Sequence, residues 1–232
     1  MRKCIKMGDN KEIIINDKDM LKLDGTMEIP DIGLGEGYHG KASYVVYDED
    51  DIDDDMLKLV CARKYNEPLV IAETERFIIR EMTVEDLPHL YELYETLSDC
   101  IYVEPLYGYE EEKAFTIKYI ENMYGFFGYG LWLIFDRKTG ELVARAGIEN
   151  RSIDGQNCQE LGYLVKKNWQ GKHVAWEVMN HIVDIAKDRF GLEKLYICTV
   201  KTNNPSIQLA LKLGFTLYAG DTDGMNIYRK VL

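Results

Sequence analysis

The stretch from Gln159 to Val200 constrains the fold more than any other. Gln159 to Val165 reads as a strand, and a short polar loop with one glycine, Lys166 to His173, follows it. Val174, Val178, Ile182 and Ile185 then recur at helical spacing until Gly191 ends the helix, and Lys194 to Val200 reads as a strand again. The elements around this strand–helix–strand unit are as regular. Arg76 to Arg80 alternates around Phe77 and Ile79; Thr83 caps a helix, with Asp86 three residues on, that runs to about Leu97; a second helix spans roughly Glu110 to Met123 with Phe115, Tyr119 and Met123 on one face. Strands Leu131–Asp136 and Glu141–Ile148 are joined by a turn at Lys138-Thr139-Gly140. Pro205 to Leu213 is a helix stopped by Gly214, and strands near Phe215–Tyr218 and Asn226–Lys230 close the pattern. The order β-α-α-β-β-β-α-β-α-β-β, without an internal repeat, predicts an α/β (α+β) domain in which an antiparallel meander passes into a strand–helix–strand unit.

Composition narrows the function classes. With 46% hydrophobic and 29% charged residues over 232 positions, the chain has the apolar content of a globular protein with a core, which excludes disorder throughout. The longest apolar run, Gly125 to Phe135, is far short of the ~20 residues of a membrane span. No charged-then-apolar leader is seen, since Lys11 and Glu12 flank the short run Ile13-Ile14-Ile15. A soluble, cytoplasmic protein is expected. A net charge of −12 repels phosphate backbones and argues against nucleic acid or anionic membranes as partners. It is still compatible with a local basic pocket for a phosphorylated ligand. Cys4, Cys61, Cys100, Cys158 and Cys198 are odd in number and scattered, which fits a reducing compartment. Neither they nor His39, His89 and His181 have metal-ligand spacing, so no metal is expected.

The first 76 residues differ from the rest, with 18 acidic against 11 basic residues. Gly33, Gly35 and Gly37 cluster there, but a strand-like run, Ala42 to Tyr47, follows them where a phosphate loop would open a helix. Seven of the eight positions Asp48 to Asp55 are acidic; lacking the central glycine and closing glutamate of a calcium loop, they suit the solvated start of a helix reaching about Tyr65. Residues 1–72 are expected to form a small acidic α/β appendage (strand, strand, helix), joined near Pro68 to a domain over 75–232.

The chemistry concentrates where strand Glu160-Leu161-Gly162-Tyr163-Leu164-Val165 meets the loop Gln170-Gly171-Lys172-His173-Val174-Ala175. The first amides of a helix lack internal partners and sit at the positive end of its dipole, which suits a diphosphate. Lys166, Lys167 and Lys172 add positive charge. On these residues alone the loop is either a diphosphate site or an ordinary strand–helix turn.

The stretch resembles motif A of the GNAT acetyltransferases, whose loop reads Gln/Arg-x-x-Gly-x-Gly/Ala: Gln170 matches the first position and Ala175 the last, while His173 stands at the usual central glycine. Glu160-Leu161-Gly162-Tyr163 is similar to the fourth strand of the bacterial ribosomal-protein N-terminal acetyltransferase subgroup (RimJ/RimL-like). Asn203-x-x-Ser206 followed by Lys212-Leu213-Gly214-Phe215 is similar to that subgroup's motif B. The element order agrees from residue 75 onward, and the first segment resembles an α/β extension that precedes such domains in some bacterial proteins.

The resemblance implies the GNAT fold, a mixed central sheet flanked by helices, and transfer of acetyl from acetyl-CoA to a primary amine, either a peptide N-terminus or a small amine. It implies cofactor contacts at Tyr163, Leu164 and Val165, at Gln170, Gly171, Lys172, His173, Val174 and Ala175, and at Asn203 and Ser206. The β-carbon of His173 is expected to crowd the phosphates. Glu160 is the first candidate for general base and Glu149 the second; a solvated strand-end glutamate is the plain alternative. A tyrosine acid common in the family is absent, its position being Ala210, which leaves Ser206, with Tyr218 and Tyr228 as stand-ins. Ser206 and Asn203 are equally well read as helix-capping residues. Tyr102, Tyr107 and Tyr109 lie where the family shapes its acceptor pocket, or they simply pack. A degenerate acyl-CoA-binding or regulatory module stays open as the alternative function, and so does a homodimer.

Overall fold

The computed structural model describes residues 3–7, 11–16, 20–23, 32–34, 44–65, 67–222 and 224–232. The chain divides into two compact units, Met1–Leu69 and Val70–Leu232.

In the first unit, β1 (Lys3–Met7), β2 (Lys11–Asn16) and β3 (Met20–Leu23) form an antiparallel sheet with the Ile13-Ile14-Ile15 run in its central strand. β4 (Ile32–Leu34) and β5 (Tyr44–Val46) pair in parallel, and α1 spans Asp54–Tyr65. Ile32, Val46, Ile52, Leu57 and Val60 make its core. The unit thus holds more strands than the two expected. The acidic run starts the helix as anticipated: Glu49–Asp51 is a 3-10 turn, and the Asp53 carboxylate accepts from the Met56 amide at 2.7 Å. Gly35, Gly37, His39 and Ala42 lie outside the described residues.

The second unit is built on an eight-stranded sheet. Its strands are β6 (Val70–Glu73), β7 (Phe77–Arg80), β8 (Leu131–Asp136), β9 (Leu142–Ile153), β10 (Gln156–Val165), β11 (Lys194–Val200), β12 (Thr216–Thr222) and β13 (Met225–Val231), in the spatial order β12-β13-β11-β10-β9-β8-β7-β6. Only β10 and β11 pair in parallel, so the sheet is mixed, as expected for the fold. Its helices are α2 (Leu87–Glu95), α3 (Tyr109–Tyr119), α4 (Val174–Asp188) and α5 (Asn204–Lys212).

The pleat decides which helix meets which face. Arg145 and Glu149 point to one face of β9, where they meet Tyr94 of α2 and Tyr119 of α3. Trp132 lies on the other face and stacks on Phe190, just past the end of α4. Gly147 lets β8 begin against β9: a β-carbon there would sit 1.9 Å from the Gly130 carbonyl oxygen, which accepts from the Ile148 amide.

Two departures from expectation bear on the site. β6 extends the sheet by an edge strand ahead of Glu75. The second helix does not run as one α-helix to Met123, because α3 passes into a π-helix over Ile120–Phe127. Its buried face is Glu112, Thr116 and Tyr119 followed by Tyr124, whereas Phe115 is 43% exposed. The wider π turn brings two phenols five residues apart to the backbone of one residue: Tyr119 Oη accepts from the Leu131 amide at 2.7 Å, and Tyr124 Oη donates to the Leu131 carbonyl. No described helix is long and apolar enough to cross a membrane.

Candidate active site

β10 and β11 touch at one point. Glu160 pairs with Tyr196, and beyond it β10 stays with β9 as far as Val165 while β11 stays with β13 as far as Val200. The sheet splays, and the edge of β10 from Leu161 to Val165 has no strand beside it on that side. A cleft of about 690 Å³ opens at this point. It is lined by Tyr163, Leu164 and Val165 of β10; by Trp169, Gln170, Gly171, His173, Val174, Ala175 and Trp176 where the loop enters α4; and by Asn203, Ser206, Gln208 and Lys212 on and before α5. All the expected cofactor residues except Lys172 are therefore brought together on one cavity.

The loop is fixed from behind. Arg76 donates both terminal nitrogens to the Lys172 carbonyl at 3.2 Å, and its Nε to Glu177 of α4 at 2.8 Å; the Thr74 hydroxyl holds the other Glu177 oxygen. The Gln170 amide nitrogen donates to the Val165 carbonyl at 3.1 Å, tying loop to strand. Among the described residues, the exposed amides of Gly171, Lys172 and His173 meet no protein acceptor, and the first turn of α4 continues this row of donors. Gly171 has φ +74° and His173 φ +61°, so His173 adopts the left-handed backbone conformation that favours glycine. Lys166 and Lys167 are not free for an anion: they pair with Glu141 and Asp99. Lys172 lies 5.1 Å over the Trp169 ring.

On the opposite wall, Asn203 caps α5, its side-chain oxygen accepting from the Ser206 amide at 3.3 Å. Ser206 is buried and lines the cleft together with Tyr163 of β10. Burial raises the Tyr163 phenol, and the serine offsets part of the rise. Ala210 is fully buried on the inner side of α5; Tyr218 meets Tyr196 edge-on, Tyr228 is buried, and neither lines the cleft. Tyr102 lines it and donates to the Thr202 carbonyl at 3.0 Å, whereas Tyr107 and Tyr109 do not line it and pack against Phe115 and Tyr91.

The two carboxylates lie on the sheet face of α2 and α3; Glu160 is at the point where β10 and β11 part, Glu149 is opposite it on β9, and neither lines the cleft. Arg145, Gly147, Glu149 and Arg151 alternate along β9, facing Leu164, Gly162, Glu160 and Cys158 of β10. Glu160 is committed on both oxygens: Arg151 Nη1 lies 2.9 Å from one, and the Cys198 amide of β11 donates to the other at 3.3 Å. That second bond replaces a backbone partner at the point where the strands separate. Among the described residues Glu149 forms no ion pair; Tyr119 Oη donates to it at 3.2 Å. Burial pushes the Glu149 carboxyl above its ordinary range and the charge of Glu160 adds to this, while Arg145 and Tyr119 pull the other way. Cys198 is pushed up to about 12 by burial and Glu160, so its thiol stays protonated. Among the described residues no group of three or more His, Cys, Asp or Glu is placed to hold a metal.

Sequence reasoning missed Tyr119, Arg151, Trp176 and Lys212 as site residues. For Arg151 the signal was parity: reading β9 past Ile148 to Ile153 puts it on the face of Glu149.

Residues 76–216, all within the second unit, match the Acetyltransferase (GNAT) domain family model. An uncharacterized protein of Bacillus subtilis (strain 168), YkkB, is 28% identical over 144 residues, which cover 61% of this chain and 82% of that protein. An acetyltransferase structure from Agrobacterium tumefaciens aligns with a TM-score of 0.58 at 24% identity, covering 69% of this chain and 94% of its own. RimL, a ribosomal L7/L12 α-N-protein acetyltransferase solved with coenzyme A, aligns with a TM-score of 0.61 at 16% identity, covering 71% and 98%. With one family model matching more than half of its length, and the splayed sheet and loop falling inside the match, the chain belongs to the GNAT acetyltransferase family.

Proposed function

We propose that this acetyltransferase moves the acetyl group of acetyl-CoA onto a primary amine in the cleft between β10 and β11, by direct attack of the amine. The observation that carries the reading is the conjunction of a splayed strand edge with a braced loop of unpartnered amides at the start of α4. Acetyl-CoA supplies the activated thioester when bound.

The chain's own groups then have defined tasks. The amides of Gly171 to Ala175 bind the diphosphate, with the dipole of α4 behind them. The free edge of β10 at Tyr163 to Val165 orients the pantetheine arm and offers amides to the carbonyl oxygen. Glu149 is the better placed of the two glutamates to take the amine's proton, through water, since its carboxyl is held high and is not neutralised by a bonded arginine. Glu160 instead holds the splay open through Arg151 and the Cys198 amide. Ser206, which lines the cleft with Tyr163, is the group for returning a proton to the departing sulfur.

A peptide or protein α-amine is the preferred acceptor. RimL, named as an α-N-protein acetyltransferase of ribosomal L7/L12, supports this; the net charge of −12 attracts cationic amines of every kind over distance and does not choose among them. The test is release of free CoA thiol with acetyl-CoA and a panel of peptide α-amines, polyamines and aminoglycosides. Turnover with peptide amines supports the proposal. Tight acetyl-CoA binding without thiol release from any amine favours the silent acyl-CoA-binding module.

A further inference from the structure

The outer end of the cleft carries a second feature. α5 starts at Asn204 and carries Ser206 in its first turn and Lys212 at its end, about 9 Å further along its axis at 1.5 Å per residue. There the Lys212 ammonium lies 4.8 Å over the ring of Trp176, and both side chains line the cavity. Trp176 is 40% exposed although it sits in the first turn of α4, beside the loop of free amides. A lysine in the last turn of α5 would serve the helix dipole from any rotamer. The dipole does not explain why this one is laid on an indole that faces the cavity. Lys166 and Lys167 are neutralised by Glu141 and Asp99, which leaves Lys212 as a cleft-lining cation in a chain of net charge −12.

From this juxtaposition we infer that Trp176 and Lys212 read the 3′-phosphoadenosine end of coenzyme A, selecting the 3′-phosphorylated nucleotide over its dephospho form. The inference rests on the acetyl-transfer reading of the cleft and deepens it. A purine offers a flat π face, and an indole at the mouth of the cavity is a stacking platform for it. In the free protein the ammonium occupies that face through a cation–π contact. Bound nucleotide exchanges the two: the 3′-phosphate draws the flexible lysine off the ring into a charge-assisted hydrogen bond, and the purine takes the indole face. The loop amides hold the diphosphate irrespective of the 3′ position, so the discrimination lies in Lys212 and the stacking in Trp176.

Calorimetric titration of the full chain with CoA and with dephospho-CoA, in wild type and in Lys212→Met, Lys212→Arg and Trp176→Ala, tests this. Wild type is expected to prefer CoA about tenfold, the size of one charge-assisted hydrogen bond. Lys212→Met should bring the two ligands within about twofold by weakening CoA alone, and Lys212→Arg should keep the preference. Trp176→Ala should weaken both ligands by a similar factor. A preference for CoA that survives Lys212→Met, or a wild type that binds both equally, overturns the inference and leaves the acetyl-transfer reading standing. Failure of wild type to bind CoA at all contradicts that reading, and this inference with it.

Discussion

Glu149 and Glu160 face each other directly across β9 and β10, and only Glu160 is bonded to an arginine. The asymmetry separates two roles that spacing alone left open. If Glu149 is the base, Glu149→Gln lowers kcat by about 100-fold or more while acetyl-CoA affinity changes little, general-base contributions being of that size. Glu160→Gln keeps an acceptor for the Cys198 amide and loses the ion pair. It is expected to cost about 1 kcal/mol of stability, since the pair is partly exposed, and less than about tenfold in kcat. Steady-state kinetics of both variants, with thermal melts, compare the two; a larger kcat loss for Glu160→Gln reverses the assignment.

The raised Glu149 carboxyl also has a stability consequence of fixed sign. Folded Glu149 keeps its proton to higher pH than the unfolded chain does. Between those two values the folded state binds more protons, so stability falls as pH rises through the window. Glu149→Gln removes that cost. Its melting temperature should exceed that of wild type at pH 8, and the difference should shrink toward pH 4. The rate profile of wild type should rise with pH on an acid limb above the ordinary carboxylate range.

His173 supplies a third prediction. Its φ of +61° costs a side-chain-bearing residue about 1–2 kcal/mol, and glycine would relieve this at an unfolded-state cost of up to about 1 kcal/mol. His173→Gly is therefore expected to be stabilised by up to about 1 kcal/mol and to bind acetyl-CoA at least as tightly as wild type. Denaturant melts and calorimetry measure the two effects. A tenfold loss of affinity would instead make the imidazole a ligand contact.

The Arg76 brace is testable in the same way. Arg76→Ala frees the Lys172 carbonyl and leaves Glu177 with the Thr74 hydroxyl alone. Acetyl-CoA binding should weaken about fivefold to tenfold, the worth of preorganising one loop, with kcat at saturation little changed. Unaltered affinity would show that the loop keeps its shape without the brace.

A stability prediction follows from the helix entry at Thr83. Arg80 grips Asp86 with two bonds at 2.8 and 2.6 Å, and the Thr83 amide adds a third. Burial alone would raise this carboxyl, but Arg80 and Thr83 outweigh it and hold it below its ordinary range. Asp86 thus contributes stability above the unfolded value that is lost as pH falls through the folded one. Asp86→Ala should cost about 3 kcal/mol at pH 7, as expected for breaking a buried pair, and less in acid.

Much of this was legible in the sequence because local rules and tertiary contacts agree. β11 spans Lys194–Val200, the bounds read from the sequence, and Thr83 and Asp86 cap as their spacing requires. The loop from Gln170 to Ala175 lies on the cleft because a strand feeding a helix positions it there. The π-helix escaped because its apolar residues do not share one buried face: Tyr124 is buried on Leu131 while Phe126 and Phe127 are exposed, so apolar periodicity carried no trace of it. The roles of the two glutamates escaped for a different reason. They depend on which carboxylate a cross-strand arginine reaches, and Arg151 lies beyond the point where the strand pattern of β9 fades into polar residues.

The most direct test is a calorimetric titration of the full chain with acetyl-CoA. One site per chain is expected, with a dissociation constant in the micromolar range, weakened by Arg76→Ala and not by His173→Gly. Absence of binding at millimolar acetyl-CoA would contradict the assignment of the β10–β11 cleft as an acetyltransferase site.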